Sequence, residues 1–354
     1  MRNFSIVVTT LFGVAASAAT FGAVQAQDSK TINFISSNDG SCSVYPQFAM
    51  QSFGYLEKEG YKVNLLSSDT SVAYVAFLSN GDADVVMLDA AQTLSAVEAG
   101  QPIKVVFETH QFAPEGIVVL ADSPIQSLSD LKGKKIGLAE QSDETTTQIA
   151  LDSVGITMQE VTTFVIGNQG PVMAKALNDG QVDAFAGGAS DRASLEAQGV
   201  KFRNITPDAI SRNPGNSLVV WGPTLEEKRP MIRAFVRSWA AAQHAGIYDT
   251  KAVVGSCRHF VPEQFEDLEL GSKIIINSAY TTQLRRTAHF GELQPNVWAG
   301  IQPGYIKTDV ISKEIDPSTF LDTSFYPDYE TITTDYIREG IEEWKKANPD
   351  QVIP

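Results

Sequence analysis

Residues 78–100 read LSNGDADVVMLDAAQTLSAVEAG, and residues 177–199 repeat the pattern as LNDGQVDAFAGGASDRASLEAQG. The two copies are offset by 99 residues, so that Gly81 matches Gly180, Asp84 matches Asp183 and Gly100 matches Gly199. Each copy is typical of a helix that ends at a glycine, a short buried strand, and a turn of small residues that begins the next helix. The repeat predicts two similar α/β halves that face each other across a ligand cleft.

The regions around the two copies alternate between strand and helix patterns. In the first half, strands are predicted at 31–36, 61–66, 85–88 and 103–109, with helices at 45–59, 72–79 and 92–99. The second half has the same order, with strands at 135–139, 161–166, 182–186 and 201–205. This alternation indicates an α/β fold in which each half is a mostly parallel sheet flanked by helices.

Two segments join the halves: residues 110–123 lead out and residues 213–222 lead back. Both contain β-rich runs, GIVVLA and SLVVW, which predict extended strands that pair with each other. We expect a first lobe of residues 27–115 and 219–354, a second lobe of residues 116–218 inserted into it, and a hinge near the two crossings. Helices predicted after the second crossing should pack on the first lobe, at residues 225–247, 250–259, 262–276, 310–315 and 331–347.

Residues 1–26 are typical of a signal peptide. Arg2 precedes an apolar run over residues 4–24, and no acidic residue occurs before Asp28. Val24-Gln25-Ala26 has the small–x–small pattern of a cleavage site. We expect cleavage after Ala26 and a mature protein in the periplasm, with an uncleaved membrane anchor as the alternative.

Charge and cysteine content narrow the class of protein. The chain has 27 Lys and Arg against 42 Asp and Glu, which gives a net charge of −15. It has no run of basic residues to neutralise phosphates, and this argues against nucleic acid as a partner. Its two cysteines, Cys42 and Cys257, could form a disulfide in an exported protein or remain two buried thiols.

Motifs for catalysis and metal binding are missing from the sequence. It contains no glycine-rich phosphate loop and no G-x-S-x-G turn. Four histidines are scattered without the spacing of metal ligands: His110, His244, His259 and His289. We therefore expect a monomeric protein that is not an enzyme and that has no cofactor and no metal site.

The loops that follow the predicted strands favour ligand binding. In open α/β sheets the ligand lies at the carboxyl ends of the strands, and these loops are rich in small and hydrogen-bonding residues. The candidate ligand-binding residues are Asn38, Asp39, Ser41, Tyr45, Asp89, Ala90, His110, Phe112, Glu140, Ser142, Thr145, Thr146, Gly188, Ser190, Asp191 and Trp221. The alternative for Asp39, Ser142 and Asp143 is plain helix capping. The expected stacking walls are Tyr45, Phe112, Phe185 and Trp221.

Acidic residues outnumber basic residues in the candidate cleft loops. The acidic set is Asp39, Asp89, Glu108, Glu115, Glu140, Asp143, Glu144 and Asp191, and the basic set is Arg192 and Arg212. A bare sulfonate or nitrate would require the opposite balance. The loops therefore predict a neutral or nitrogen-rich organic ligand, with an aromatic ring as one option. Glu115 and Glu144 are expected to face solvent.

Four stretches resemble a known family. They are residues 43–63 (SVYPQFAMQSFGYLEKEGYKV), 77–103 (FLSNGDADVVMLDAAQTLSAVEAGQPI), 127–138 (SLSDLKGKKIGL) and 177–184 (LNDGQVDA). They are similar to periplasmic substrate-binding proteins of ABC importers, in the branch that handles thiamine pyrimidine precursors, alkanesulfonates, taurine and nitrate. The resemblance implies the two-lobed type II fold of periplasmic binding proteins.

The resemblance also implies a function. We expect an extracytoplasmic solute-binding component that closes its lobes on a small molecule and delivers it to an ABC transporter permease in the inner membrane. Pyrimidine binders of the family carry a Trp-Pro-Asn type motif after the first strand. Here residues 36–40 read SSNDG, which argues against a thiamine precursor. Alternatives are a secreted enzyme or a ligand-sensing module on the same fold, and a sulfonate, taurine or nitrate as ligand.

Overall fold

Two five-stranded sheets form the centre of the protein in a computed structural model that describes residues 30–36, 42–66 and 74–353. The strands are β1 (Thr31–Ile35), β2 (Lys62–Leu66), β3 (Val85–Leu88), β4 (Ile103–Glu108), β5 (Gly116–Leu120), β6 (Lys135–Leu138), β7 (Thr162–Val165), β8 (Ala184–Gly187), β9 (Phe202–Asn204) and β10 (Ser217–Trp221). The first sheet has the order β2-β1-β3-β10-β4 and the second has the order β7-β6-β8-β5-β9. The predicted two-lobed α/β architecture is confirmed.

Helices flank both sheets. They are α1 (Pro46–Ser52), α2 (Tyr55–Lys58), α3 (Tyr74–Asn80), α4 (Ala90–Glu98), α5 (Asp143–Asp152), α6 (Gly170–Asn178), α7 (Ala189–Ala197), α8 (Asp208–Ser211), α9 (Leu225–Tyr248), α10 (Thr250–Phe260), α11 (Leu268–Gln283), α12 (Pro295–Lys307), α13 (Tyr326–Glu330) and α14 (Thr334–Ala347). Of the helices in the described ranges, none is both long and apolar enough to cross a membrane.

Most predicted elements occur within a few residues of their expected bounds, but two helix predictions were wrong and one helix was not predicted. The helix predicted at 45–59 is interrupted at Gly54, whose φ of 68° separates α1 from α2. The segment predicted at 310–315 is not helical, since the buried Gln302 amide bonds both the N–H and the carbonyl of Ile315. The sequence analysis missed α12, which contains Pro303, because the packing of buried side chains such as Trp298 overrides weak helix propensity.

The repeated stretch has the same hydrogen bonds in both lobes. In the first lobe, Asp84 Oδ2 accepts the Asn33 N–H of β1 at 2.9 Å, and the Asp84 N–H donates to the Asn33 carbonyl. In the second lobe, Asp183 Oδ2 accepts the Lys135 N–H of β6 at 2.9 Å, and the Asp183 N–H donates to the Lys135 carbonyl. The carboxylate thus extends the ladder where β3 and β8 begin, which sets the register of both strands.

The crossings differ from the prediction. We expected their extended strands to pair with each other, but β5 joins the second sheet and β10 returns between β3 and β4, antiparallel to both. The crossings instead meet just before these strands. There the Thr109 N–H donates to the Asn216 carbonyl at 2.9 Å, and the Gly215 N–H donates to the His110 carbonyl at 2.8 Å.

The helices after β10 do not all stay on the first lobe. As predicted, α9 carries a core stripe, in which Trp239 packs edge-on against Phe34 of β1 at 5.4 Å between ring centroids. However, α11 packs along α7 of the second lobe, and Lys307 of α12 lies 3.5 Å from the Asp152 carboxylate of α5. The predicted packing on the first lobe is present, and two of these helices, α11 and α12, in addition contact the second lobe.

Alanine at Asp84 should destabilise the protein more than alanine at Asp183. Asp84 is buried and also accepts Lys228 Nζ at 2.7 Å, so its removal leaves both the Asn33 N–H and a cation without an acceptor. We expect Asp84→Ala to lower the free energy of unfolding by about 2 to 4 kcal/mol and Asp183→Ala by about 1 kcal/mol. Urea denaturation of both variants measures this, and an equal or reversed order would contradict the assignment.

A methyl group at Gly215 should disturb the meeting point of the crossings. A Cβ there would lie 2.8 Å from His110 Cβ and 2.9 Å from Pro114 Cδ. We expect Gly215→Ala to destabilise the protein by about 1 to 3 kcal/mol through overpacking. The control is Gly300→Ala in α12, where a Cβ meets no atom within 4 Å and should stabilise by up to about 1 kcal/mol in thermal unfolding. Equal effects of the two substitutions would refute the packing argument.

Candidate functional site

A cavity of about 590 Å³ lies between the carboxyl ends of the two sheets. Its walls come from the first lobe, from the second lobe and from α11, which contributes Ile274 and Ser278. A smaller cavity of about 150 Å³ adjoins it and shares the lining residues Asp89, Gln92, Glu115 and Ser142. The cleft predicted from the repeated stretch is therefore present, and both copies of the stretch contribute to it.

Ten of the predicted ligand-binding residues line these two cavities. The larger cavity has Asp89, His110, Glu140, Ser142, Gly188, Ser190 and Asp191, and the smaller one also has Ala90, Thr145 and Thr146. They lie after β3, β4, β6 and β8 or in the first turns of α4, α5 and α7, as expected for the carboxyl edge of each sheet.

Tyr45 and Trp221 lie elsewhere, so their prediction as stacking walls needs correction. Tyr45 is 0% exposed in the first-lobe core, where its hydroxyl donates to the Gln243 carbonyl at 3.0 Å. Trp221 pairs with Ile103 at the start of β4, because β10 runs antiparallel and its carboxyl end lies at the far edge of the sheet.

The other predicted aromatic walls also lie outside the two cavities. Phe112 packs on the Arg286 guanidinium at 4.7 Å and lines a neighbouring surface cavity. Phe185 is fully buried in the core of the second lobe. The remaining predicted ligand-binding residues, Asn38, Asp39 and Ser41, lie outside the described residues.

Two acids of the predicted cleft loops line the cavities although they were not among the candidate ligand-binding residues. Glu115 lines both cavities, so the expectation that it faces solvent was wrong, and Asp143, considered as a capping residue, lines the larger one. Glu115 lies directly before β5, where the first crossing enters the second lobe. Gln92, Asn168 and Asn216 also line the larger cavity.

The acidic residues at the cleft are held by backbone groups. Asp89 caps α4, since its Oδ1 accepts the Gln92 N–H at 2.7 Å while Gln92 Oε1 accepts the Asp89 N–H at 3.0 Å. Asp191 Oδ2 accepts the Gly188 N–H before α7, and Asp143 Oδ2 accepts the Glu140 N–H before α5, both at 2.8 Å. Asp89 is thus the N-cap of α4, whereas Asp143 and Asp191 lie in the first turns of their helices and each bonds the N–H of the residue three positions earlier.

Ser142 differs from these acids. It precedes α5, but its hydroxyl makes no capping hydrogen bond within the described chain. The alternative reading of Ser142 as a capping residue is therefore wrong, and its hydroxyl lines both cavities.

The larger cavity is strongly acidic. It is lined by six carboxylates: Asp89, Glu115, Glu140, Asp143, Asp191 and Glu263. Burial, together with neighbouring carboxylates, raises the pKa of Glu115 and that of Asp143 to about 7. Burial likewise raises the pKa of Asp191 to about 6 and raises the pKa of Asp89. Each of these directions means that burial in the cleft disfavours the ionised form of the carboxyl group.

Arg192 lies behind this wall and lowers the cost of ionising Glu115. Its guanidinium donates to the Gly187 carbonyl at 2.8 Å and to the Pro114 carbonyl at 2.9 Å. Because these bonds tie the guanidinium to the end of β8 and to the first crossing, it acts as a structural cation between the lobes.

The protonation of His110 follows from its neighbours. Thr109 Oγ1 lies 2.6 Å from the Asn216 carbonyl, so the hydroxyl must donate there, since two oxygens this close need a hydrogen between them. The same Oγ1 lies 3.1 Å from His110 Nδ1, which must then carry the hydrogen and donate it. Burial lowers the pKa of His110 to about 4. At neutral pH His110 is therefore neutral, and its Nε2 is an acceptor.

The two cysteines lie side by side in the first-lobe core. Cys42 and Cys257 are both buried free thiols, and they form a hydrogen bond with each other. Burial and this bond raise the pKa of the Cys257 thiol. The disulfide stays a prediction, although the two residues it would join are in contact. In the described ranges, no group of three or more His, Cys, Asp or Glu is placed to hold a metal ion.

The ligand-free protein should lose stability between pH 6.5 and pH 8. Glu108, Glu115 and Asp143 have a folded pKa of about 8, 7 and 7, above their unfolded values, so their stabilising effect is lost as pH rises through this range. The charges that face them are Arg286 for Glu108, and Asp89, Glu140, Asp191 and Arg192 in the cleft.

The buried histidines increase the free energy of unfolding as pH rises, but only below pH 6.5. The pKa of His110 and that of His244 is lowered to about 4, and the unfolded imidazole is already largely neutral above its ordinary value of 6.5. We expect the free energy of unfolding to fall by about 1 to 3 kcal/mol between pH 6.5 and pH 8, as measured by urea denaturation at each pH. Glu115→Gln should reduce the fall, and a flat or rising stability would contradict the assignment of raised pKa values.

Comparisons with known proteins place this architecture in a family. The NMT1/THI5-like family model matches residues 42–248, which is well over half of the chain. The riboflavin-binding protein RibY of Chloroflexus aurantiacus is 23% identical over 295 residues, which cover 80% of this chain and 82% of that protein. The 4-amino-5-hydroxymethyl-2-methylpyrimidine phosphate synthase of Schizosaccharomyces pombe is 24% identical over 156 residues, 44% of each chain.

A solved structure shares the fold. The periplasmic aliphatic sulphonate binding protein SsuA of Escherichia coli superposes with a TM-score of 0.65 at 16% identity, over 82% of this chain and 91% of SsuA. At this identity the likeness shows the fold alone. The protein therefore belongs to the NMT1/THI5-like family and has the two-lobed fold of periplasmic binding proteins that the sequence resemblance predicted.

Proposed function

We propose that the protein is the extracytoplasmic solute-binding component of an ABC importer, and that it captures a small nitrogen-rich organic molecule by lobe closure. One observation carries this proposal: a cavity of about 590 Å³ lies between two sheets, and both copies of the repeated stretch line it. A volume of this size suits a small metabolite. A ligand that contacts both walls stabilises the arrangement in which the walls are close.

Closure would bend the chain at the crossings. The proposed lobes are residues 27–115 with 219–354, and residues 116–218, with hinges near 110–123 and 213–222. Hydrogen bonds between Thr109 and Asn216 and between His110 and Gly215 give these crossings a fixed meeting point about which the lobes can rotate. Ligand selects the closed arrangement only to the extent that it binds that arrangement better. The cleft provides this difference in affinity, because a ligand bound to one lobe loses its contacts with the other lobe when the lobes separate.

The lining narrows the ligand class. Its carboxylates argue against the sulfonates named for the structural relative SsuA. Riboflavin, named for the relative RibY, has a large aromatic ring system. Among the described lining residues of the larger cavity there is no Phe, Tyr or Trp to stack on such a ring. We therefore favour a small, hydrogen-bonding, nitrogen-rich ligand without an extended aromatic surface.

The proposed setting is the periplasm, with a permease in the inner membrane as the partner. Support comes from the predicted signal peptide, which lies outside the described residues, and from the periplasmic origin named for SsuA. In this setting the closed monomer would deliver the ligand to the permease.

A second candidate function is catalysis on the same fold. Two observations favour it: some relatives are named as synthases, and the cleft holds His110 with an acceptor Nε2 among carboxylates. Such a nitrogen can act as a general base. The two functions differ in the fate of the bound molecule, since a binding protein releases it unchanged and an enzyme converts it.

Ligand binding should make the protein more compact and more stable. A ligand at 100 times its dissociation constant adds about 2.7 kcal/mol to the free energy of unfolding. We expect native mass spectrometry of the protein purified without unfolding to reveal a bound small molecule. Stripping that molecule should increase the radius of gyration in small-angle scattering, and adding it back should restore the compact state. Binding without compaction would refute lobe closure, and chemical conversion of the ligand would favour the enzyme.

A further inference from the structure

We propose that the ligand is an organic cation, a molecule with a protonated ammonium or guanidinium group whose N–H donors bind the carboxylates of the cleft and His110 Nε2. This inference rests on the proposed solute-binding function and gives its ligand a charge. Two independent observations support it: the charge of the lining and the fixed acceptor state of a buried histidine.

The charged side chains of the cavity wall are all acidic. Six carboxylates line the larger cavity, and none of its lining residues in the described part of the chain is a lysine or arginine. The internal segments 37–41 and 67–73 contain neither residue type, so they cannot supply a cation. Arg192 is close to Glu115, but its guanidinium is bound to the Gly187 and Pro114 carbonyls. The cavity therefore attracts cations and repels anions.

The helix N-termini at the cleft are already occupied by the protein's own anions. Helix N-termini normally attract a ligand's anionic group, because their N–H groups and dipole favour negative charge. Here Asp89 accepts the Gln92 N–H of α4, and Asp191 accepts the Gly188 N–H that precedes α7. Asp143 in the same way accepts the Glu140 N–H before α5. These bonds hold carboxylate oxygens beside the three helix N-termini, where their negative charge disfavours a sulfonate or carboxylate ligand.

His110 points to the same ligand chemistry without reference to charge. The side chain is only 9% exposed and lines the larger cavity. Its Nδ1–H is directed to Thr109 Oγ1, and in the described residues the structure gives Nε2 no hydrogen-bond partner. As an acceptor in the cavity wall, this nitrogen can take a hydrogen bond from a ligand N–H. The cavity wall therefore favours a ligand that donates hydrogen bonds.

A ligand with several N–H groups and a positive charge meets both requirements. Ammonium has three donors and guanidinium has five, and neither accepts hydrogen bonds. A cation in the cavity would also stabilise the ionised carboxylates, because burial and, to a lesser extent, mutual repulsion disfavour their ionisation. A neutral diol of similar size can donate hydrogen bonds but carries no positive charge, and an aliphatic sulfonate has neither the donors nor the positive charge.

The test is a thermal-shift and calorimetry panel on the mature full chain after ligand stripping. The cationic probes are 1,4-diaminobutane, spermidine and agmatine, and the size-matched controls are 1,4-butanediol and butane-1-sulfonate. We expect a rise in the melting temperature with at least one cationic probe and none with the controls. Binding should weaken as salt is added, because part of it is electrostatic.

Variants separate the cleft carboxylates from the overall charge. Asp143→Asn and Asp191→Asn keep an oxygen that can accept the backbone N–H but remove the negative charge. Each should weaken cation binding at least tenfold. Asp122→Asn makes the same charge change at an exposed position outside the cavity and should leave binding within twofold. Equal effects of all three substitutions would overturn the assignment of the cation to the cleft.

The remaining outcomes distinguish this inference from the proposed function. Binding and compaction with a neutral or anionic compound, without a response to any amine, would overturn the inference of a cationic ligand. The proposed solute-binding function would still hold. Chemical conversion of a bound amine would overturn the proposed transport role but would still support a cationic ligand. Failure of all three cationic probes to bind would overturn the inference that the ligand is a cation.

Discussion

An aspartate carboxylate that accepts a backbone N–H is the interaction on which both lobes depend. Asp84 and Asp183 each bond the neighbouring strand of their sheet and set the register in which β3 and β8 begin. A few residues later, other carboxylates hold the turns that open α4 and α7. Because each strand is only four residues long, the first bond also fixes where the strand ends and where the cleft loop starts. The position of the site follows from the register.

The same interaction explains why the two lobes differ at the cleft. The first lobe places its acid at the cap of α4, whereas the second lobe places it within the first turn of α7, three residues after the glycine that it bonds. Equivalent backbone geometry is thus maintained by acids at unlike positions. The two copies therefore supply carboxylates from unlike positions of the repeat and form an asymmetric site.

Burying several carboxylates together weakens the ligand-free fold at neutral pH, and this is typical of a binding site rather than a structural core. Glu115 and Asp143 repel each other, and Asp191 adds to the repulsion at both. The two-lobed fold tolerates this arrangement because the apolar core clusters are built from other residues than these carboxylates. Relatives with the same fold carry names for quite different ligands and activities, which agrees with a fold that places a cleft and leaves its chemistry to the loops.

The sequence by itself determined the α/β class, the duplication, most strand and helix positions, and ten of the residues around the cleft. These features depend on local hydrophobic patterns and on the rule that ligands lie at the carboxyl ends of strands. Tyr45 and Trp221 were misplaced because their positions depend on core packing and on the antiparallel return of β10. Glu115, the bridging of the lobes by α11 and α12, and the tautomer of His110 arise from contacts between residues far apart in the chain. Only the tertiary structure decided them, because no local pattern encodes which distant groups face a side chain.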